Sequence, residues 1–217
     1  MRRLRSDCGG LLFLAISHEI GEKYGLPFLQ DLHTTEDSIA KYPVLDVLKT
    51  NDLQYDTKSA FTLSINHRDT YTGITDRDRA LTTKRFADLY SELPKDCDSK
   101  QAMALLGKEF RTPGHIPVCR EAPGGLKTRQ GHTELAVSIA RLAGLTECTI
   151  GAEMLEPKGE NALPLAQALK YAQKHKIPIV TGKDLLKAHN LGLDVVEAKL
   201  EKRQKLEEEK AQAKAKE

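Results

Sequence analysis

The sequence has no tryptophan, few other aromatic residues and no closely spaced pair of cysteines. Aromatic residues make up 5% of the chain, so neither an aromatic cage for cations nor a platform for stacked bases is expected. The four cysteines, Cys8, Cys97, Cys119 and Cys148, lie far apart, which removes the usual signature of zinc and thioredoxin-like sites. A reducing cytoplasmic location is the simplest interpretation of this pattern.

Long apolar runs and an excess of one charge sign are also missing. The apolar run at residues 11–16 is too short to cross a bilayer. It is followed by His18 and Glu19, where a signal peptide would have small residues. The net charge is only +2, although 29% of the residues are charged. We therefore expect neither nucleic acid nor a membrane as a partner.

The hydrophobic pattern of the 217 residues predicts one sizeable domain of alternating strands and helices. Apolar or alternating runs predict strands at residues 11–16, 60–66, 116–120, 149–155 and 177–181. Amphipathic stretches and capping residues predict helices at residues 18–24, 75–90 (interrupted), 129–143, 163–175 and 183–190.

Two regions do not fit this alternation. Residues 91–111 are interpreted as a connection around a short helical patch at 100–106. From residue 193 to 217, Glu, Lys, Gln and Ala dominate, which is typical of a solvated helix or a frayed tail. A helix that binds a partner is the alternative for this tail.

Polar groups are concentrated at residues 125–134. A helix that starts at Arg129 would place Arg129, His132 and Thr133 on one face of its first turns. Unpaired N–H groups, the helix dipole and an arginine fork together favour a bound phosphate, to which His132 would add a metal ligand or an acid–base group. In the alternative interpretation, Arg129 pairs with Glu134 or another carboxylate, and His132 only caps the helix.

Other candidates stand outside this segment. His115 follows Pro113-Gly114, so a tight turn would present it, either in a site or bonded to backbone. Glu153 interrupts an apolar strand, which places it at a strand end or in a site, because an unpaired buried carboxylate is costly. Thr72, judged alone, is a turn residue.

Six short segments follow one another in a specific order. They are RSDCGGL at 5–11, SINHR at 64–68, TGITDRDRA at 72–80, FRTPGH at 110–115, RQGHTE at 129–134 and AEM at 152–154. In this combination the chain resembles dihydroxybutanone phosphate synthase, particularly its archaeal form. The family is a lyase of riboflavin biosynthesis that converts ribulose 5-phosphate to 3,4-dihydroxy-2-butanone 4-phosphate and formate.

The resemblance implies an α/β (α+β) fold. Residues 1–192 would form a single compact domain with a mixed sheet flanked by helices. The composition of residues 193–217 predicts a charged helical or disordered tail after this domain. The resemblance also implies a homodimer with active sites at the interface, a sugar-phosphate substrate, and magnesium as cofactor with manganese as a substitute.

The resemblance also assigns residue roles. His115 and Glu153 would carry out the proton transfers, and His132 would ligate magnesium. Substrate binding would involve Thr72, Arg129, Gln130, Gly131, His132, Thr133 and Glu153.

One family motif is not found in this sequence. An acidic loop of the type Arg-Glu-x-Glu-x-Asp, which supplies a glutamate to magnesium, precedes the match at 5–11 in the family. We therefore expect weak or no turnover from the 217-residue chain as written, and activity from a version extended upstream. The alternatives are a non-catalytic phosphate-binding or scaffolding paralogue, and another sugar-phosphate isomerase or lyase.

Overall fold

A mixed sheet of four strands lies at the centre of the computed structural model, which describes residues 1–50, 53 and 58–191. The strands are β1 (Gly9–Ile16), β2 (Phe61–His67), β3 (Phe110–Arg120) and β4 (Cys148–Met154), in the order β2-β3-β1-β4. The central pair, β1 and β3, is parallel, while β2 and β4 are antiparallel to their neighbours. The predicted mixed sheet with flanking helices is confirmed.

Helices connect and cover these strands. Those of the described residues are α1 (His18–Lys23), α2 (Leu29–His33), α3 (Glu36–Lys41), α4 (Val44–Val47), α5 (Asp76–Ser91), α6 (Ser99–Glu109), α7 (His132–Leu142), α8 (Leu165–His175) and α9 (Gly182–Ala188). A π-helical turn (Leu4–Cys8) precedes β1, and a 3₁₀ turn (Gly125–Lys127) precedes α7. Within the described ranges, no helix is long and apolar enough to cross a membrane.

The two faces of the sheet have different partners, because successive side chains of a strand alternate between faces. On the first face, Leu12, Leu14 and Ile116 form the main core with apolar side chains of α1, α5 and α6. The second face includes Ala15 and Cys119, which are paired neighbours on β1 and β3. Helix α7 contacts β1 and β4, and it covers this second face.

Most predicted elements lie where the pattern placed them, but several differ. Helix α5 runs without interruption, and α6 is a full helix whose capping box joins Asp98 and Gln101. The predicted strand at 177–181 is wrong. Its residues Ile179 and Val180 are half exposed and no described strand pairs with them, because strand formation needs a partner that local sequence does not reveal.

The start of α7 is also corrected. It begins at His132, three residues later than predicted, because Gly131 is the N-cap and its N–H donates to the Glu134 carboxylate. Arg129 therefore precedes the helix. The predicted tail at 193–217 lies outside the described residues.

Candidate active site

The segment before α7 is organised by a buried carboxylate. Glu134 has no exposed surface. It accepts hydrogen bonds from the N–H groups of Ala122, at 3.0 Å, and Gly131, at 3.2 Å. Its ion pair with Arg129 Nη1 is 2.6 Å long. The alternative interpretation of Arg129 as a partner of Glu134 is thus confirmed, and the prediction that Arg129 lies on the helix is wrong.

The remaining residues around this helix start differ in exposure. His132, the first helical residue, is exposed, whereas Thr133 is 4% exposed and hydrogen-bonds the Cys119 thiol on β3. Burial raises the pKa of Cys119 to about 11. Gln130 Nε2 donates to the carbonyl of Leu126 at 3.1 Å. The structure therefore brings the five predicted residues of this segment to one helix end, with His132 facing solvent.

His115 lies in an irregular part of β3. Pairing with β2 jumps from Ile65–Ile116 to Asn66–Arg111, so residues 112–115 bulge out of the ladder. The bulge is held by β2, because Gly114 N–H donates to Ser64 Oγ at 3.1 Å. A Cβ atom on Gly114 would lie 2.0 Å from the carbonyl carbon of Ile65, which excludes a side chain at that position.

Asn66 holds both the backbone and the ring of His115. Its Oδ1 accepts the His115 N–H at 2.8 Å, and its Nδ2 lies 3.0 Å from His115 Nδ1. Asn66 is 3% exposed, whereas the imidazole is exposed. The sequence reasoning assigned no role to Asn66. The available signal was an asparagine in a strand with an apolar alternating pattern.

Thr72 is placed near His115 by its neighbour Gly73, which packs against Asn66. Gly73 has φ +88°, and a Cβ atom there would lie 2.1 Å from Asn66 Nδ2. The Gly73 N–H donates to Asp78 Oδ2 at 2.9 Å, and this bond is the main reason that the pKa of Asp78 is lowered. Asp78 thus closes the turn at Thr72, while its own N–H is capped by Thr75.

Glu153 is exposed near the end of β4, beside Gly10 of β1. His115 lies on β3, on the other side of β1, and the strands β3 and β4 are two strand spacings, about 10 Å, apart across the sheet. The start of α7 lies beside Cys119, which is four residues and at most about 13 Å along β3 from His115. One chain therefore groups Thr72 with His115, and places the residues before α7 further along the same face.

A cluster of three acidic side chains lies apart from all the predicted residues. Within the described part of the chain, Glu19, Glu121 and Glu147 form the group whose carboxylates could hold a metal ion. Arg141 lies among them, with contacts of 2.8 Å to Glu121 and Glu147 and 3.7 Å to Glu19. Its guanidinium contacts all three carboxylates and offsets part of their negative charge, so this cluster is an ion-pair network of the protein itself.

The order of these segments agrees with one family along almost the whole chain. The sequence model of 3,4-dihydroxy-2-butanone 4-phosphate synthase matches residues 1–188. The chain belongs to this family. The synthase of Methanothermobacter thermautotrophicus is 38% identical over 189 residues, which are 87% of this chain and 78% of that protein. The synthase of Archaeoglobus fulgidus is also 38% identical, over 84% of this chain and 74% of that protein.

Solved synthase structures share the fold. The enzyme of Candida albicans superposes with a TM-score of 0.59 and 26% identity, over 86% of this chain and 76% of that one. A synthase solved in complex with two magnesium ions has a TM-score of 0.58 and 23% identity, over 84% of this chain and 74% of that one.

Proposed function

We propose that this chain carries out the reaction named by its family. It would convert D-ribulose 5-phosphate to L-3,4-dihydroxy-2-butanone 4-phosphate and formate, in riboflavin biosynthesis. The observation that carries the proposal is the exposed imidazole of His115, held by the buried Asn66 within a family match that spans residues 1–188. A functional histidine needs this combination of access and fixed orientation.

The proton transfers are assigned to His115 and Glu153. The reaction must enolise a ketose phosphate, remove water, rearrange the carbon skeleton and release formate, so protons are both donated and removed. Both side chains are exposed, and their strands β3 and β4 lie on either side of β1, about 10 Å apart. A small sugar phosphate between them could be reached from both ends.

The phosphate group is assigned to the start of α7. The first N–H groups of a helix have no acceptor within it, and the helix dipole adds partial positive charge there. Arg129 adds its charge, which the Glu134 carboxylate partly balances, and Gly131 leaves room for this guanidinium, because a Cβ atom there would lie 2.2 Å from Arg129 Nη1. Binding the phosphate at this point would hold the reacting carbons at a fixed distance from the catalytic groups.

Magnesium, with manganese as a substitute, is the proposed cofactor. The related structure that contains two magnesium ions supports a divalent cation. Of the described residues, His132 is the exposed candidate ligand, while the neighbouring Glu134 carboxylate is occupied by Arg129 and two N–H groups. Because magnesium prefers oxygen ligands, His132 would be one ligand beside waters and substrate oxygens. A bound cation would stabilise the charge of an enediolate.

A homodimer is the proposed assembly. The residues before α7 and the His115 group lie up to about 13 Å apart in one chain, so a second copy could bring complementary groups together. Exposed apolar side chains support a covered surface, because exposed apolar patches often mark interfaces. They include Leu165, which is 73% exposed, and Ile179, which is 50% exposed.

Formate release from ribulose 5-phosphate, with and without magnesium, tests the proposed function. We expect His115→Gln to lower kcat by more than about 100-fold, the usual contribution of a positioned acid–base group. The urea midpoint should fall only slightly, because the imidazole is exposed and its loss removes one hydrogen bond to Asn66. His33→Gln on α2, an exposed histidine outside the site, is the matched control. Formate release from His115→Gln at the wild-type rate would contradict the assigned role.

A further inference from the structure

We infer that Asn66 is a positioning residue that holds His115 in the tautomer with its proton on Nε2. The inference rests on the proposed function, since it specifies how His115 takes part in that reaction. It concerns a residue to which neither the sequence reasoning nor the family match assigned a role.

The hydrogen-bond pattern determines which way the Asn66 amide points. The His115 backbone N–H can only donate, so the Asn66 atom 2.8 Å from it must be the carbonyl Oδ1. The amide NH₂ therefore faces His115 Nδ1 at 3.0 Å and donates to it. Only an unprotonated ring nitrogen can accept this hydrogen bond. The single proton of the neutral imidazole therefore lies on Nε2.

Close packing prevents the amide from turning over. Asn66 is 3% exposed, and the Gly73 backbone lies so close that an added Cβ atom would be 2.1 Å from Nδ2. Reversal of the amide would place NH₂ against the His115 N–H, leaving two buried donors facing each other. The loop at Gly73 is itself tied to α5 through Asp78. The orientation of the His115 ring is thus connected to the fold of the loop that presents Thr72.

The tautomer has a chemical consequence for the site. An Nε2–H group donates a hydrogen bond to a substrate oxygen and carries no lone pair with which to take a proton from carbon. His115 would therefore supply the donated proton, from Nε2 to the oxygen on which negative charge develops, as a neutral imidazole does in other enolisations. The carboxylate of Glu153 is left as the acceptor of the proton at this part of the site.

The tautomer can be observed directly in the protein without substrate. Two-bond ¹H–¹⁵N correlation spectra of histidine-labelled protein distinguish protonated from unprotonated ring nitrogens, and the His115 signals are identified by their loss in His115→Gln. In the wild-type chain we expect an unprotonated Nδ1 and a protonated Nε2. A protonated Nδ1 in the wild-type chain would overturn the inference, whether or not any Asn66 variant folds.

Asn66→Asp is the informative variant, because it keeps the size and the acceptor for the His115 N–H but replaces the donor with a carboxylate oxygen. We expect His115 Nδ1 to become protonated and kcat to fall at least about 10-fold, with KM within about 3-fold of wild type, since the substrate's phosphate contacts are unchanged. Asn161→Asp introduces the same chemical change at an exposed position and should leave both the tautomer and kcat as in wild type.

The outcomes separate this inference from the proposed function. If Asn66→Asp protonates Nδ1 but releases formate at the wild-type rate, the positioning role is wrong and the proposed function stands. If Nδ1 stays unprotonated in Asn66→Asp, Asn66 does not control the tautomer and the inference is overturned. If the wild-type chain has the expected tautomer but neither it nor a version extended upstream converts ribulose 5-phosphate, the proposed function fails while the assignment of the ring proton to Asn66 holds.

Discussion

The two groups of candidate residues are built around different buried partners. The β-strand group presents His115 from a bulge of β3 and fixes it with the neutral amide of Asn66. The helix group presents His132 from the start of α7 and is fixed by the charged Glu134. In both, an exposed histidine lies near a polar residue that is nearly or completely buried. In each group, a nearly or completely buried polar residue therefore holds the segment that presents the candidate histidine.

The difference lies in what happens when the buried partner is lost. A buried amide with both polar ends bonded can be replaced with a moderate loss of stability, but the histidine it orients loses its fixed tautomer. A buried carboxylate that holds an arginine and two N–H groups supports the local fold itself. We therefore expect the strand group to respond mainly in activity and the helix group mainly in stability.

Removal of the buried carboxylate should have the largest effect on stability. We expect Glu134→Ala to lower the free energy of unfolding by about 3–5 kcal/mol, the range for breaking a buried ion pair from one side. Urea unfolding followed by circular dichroism measures this loss. Glu147→Ala is the control, because its ion pair with Arg141 is partly exposed and should contribute at most about 1 kcal/mol. Equal losses of unfolding free energy in Glu134→Ala and Glu147→Ala would contradict the structural role given to the buried carboxylate.

A smaller effect is expected from filling the bulge that carries His115. Gly114→Ala forces a Cβ atom against the Ile65 backbone, so it should lower the free energy of unfolding by about 1–3 kcal/mol and displace the histidine. Gly107→Ala in α6 is the control, because no atom lies within 4 Å of its added Cβ. That change should raise stability by up to about 1 kcal/mol, since alanine favours a helix. A Gly114→Ala protein as stable as wild type would show that the bulge tolerates a side chain.

The smallest effect is a pH dependence of the turn beside Asn66. The pKa of Asp78 is lowered by its bond to the Gly73 N–H, so its stabilising contribution is complete above the ordinary aspartate pKa. It is lost as pH falls through the lowered value. We expect the Gly73 amide resonance to titrate below the usual aspartate range, and this titration to vanish in Asp78→Asn. A midpoint in or above the usual range would contradict the proposed closure of the turn.

Local signals in the sequence predicted several elements correctly. The apolar run 11–16 lies within β1, Ser17 caps α1 through Ile20 N–H, and Thr75 caps α5. Each signal acts within a few residues, so no knowledge of distant partners is needed. Local patterns failed where pairing decides, as at residues 177–181, which are apolar but lie outside the sheet.

The candidate site shows the same division. Six ordered segments were enough to identify the family and the candidate roles of His115, His132 and Glu153, because the sequence gives the identity and order of these side chains directly. The tertiary structure alone showed that Asn66 binds the ring of His115, 49 residues away. It also showed that Arg129 pairs with Glu134 from a position before α7, not from the face of the helix. Such choices depend on which polar groups folding buries together, and a buried group must find its partner wherever the chain places one.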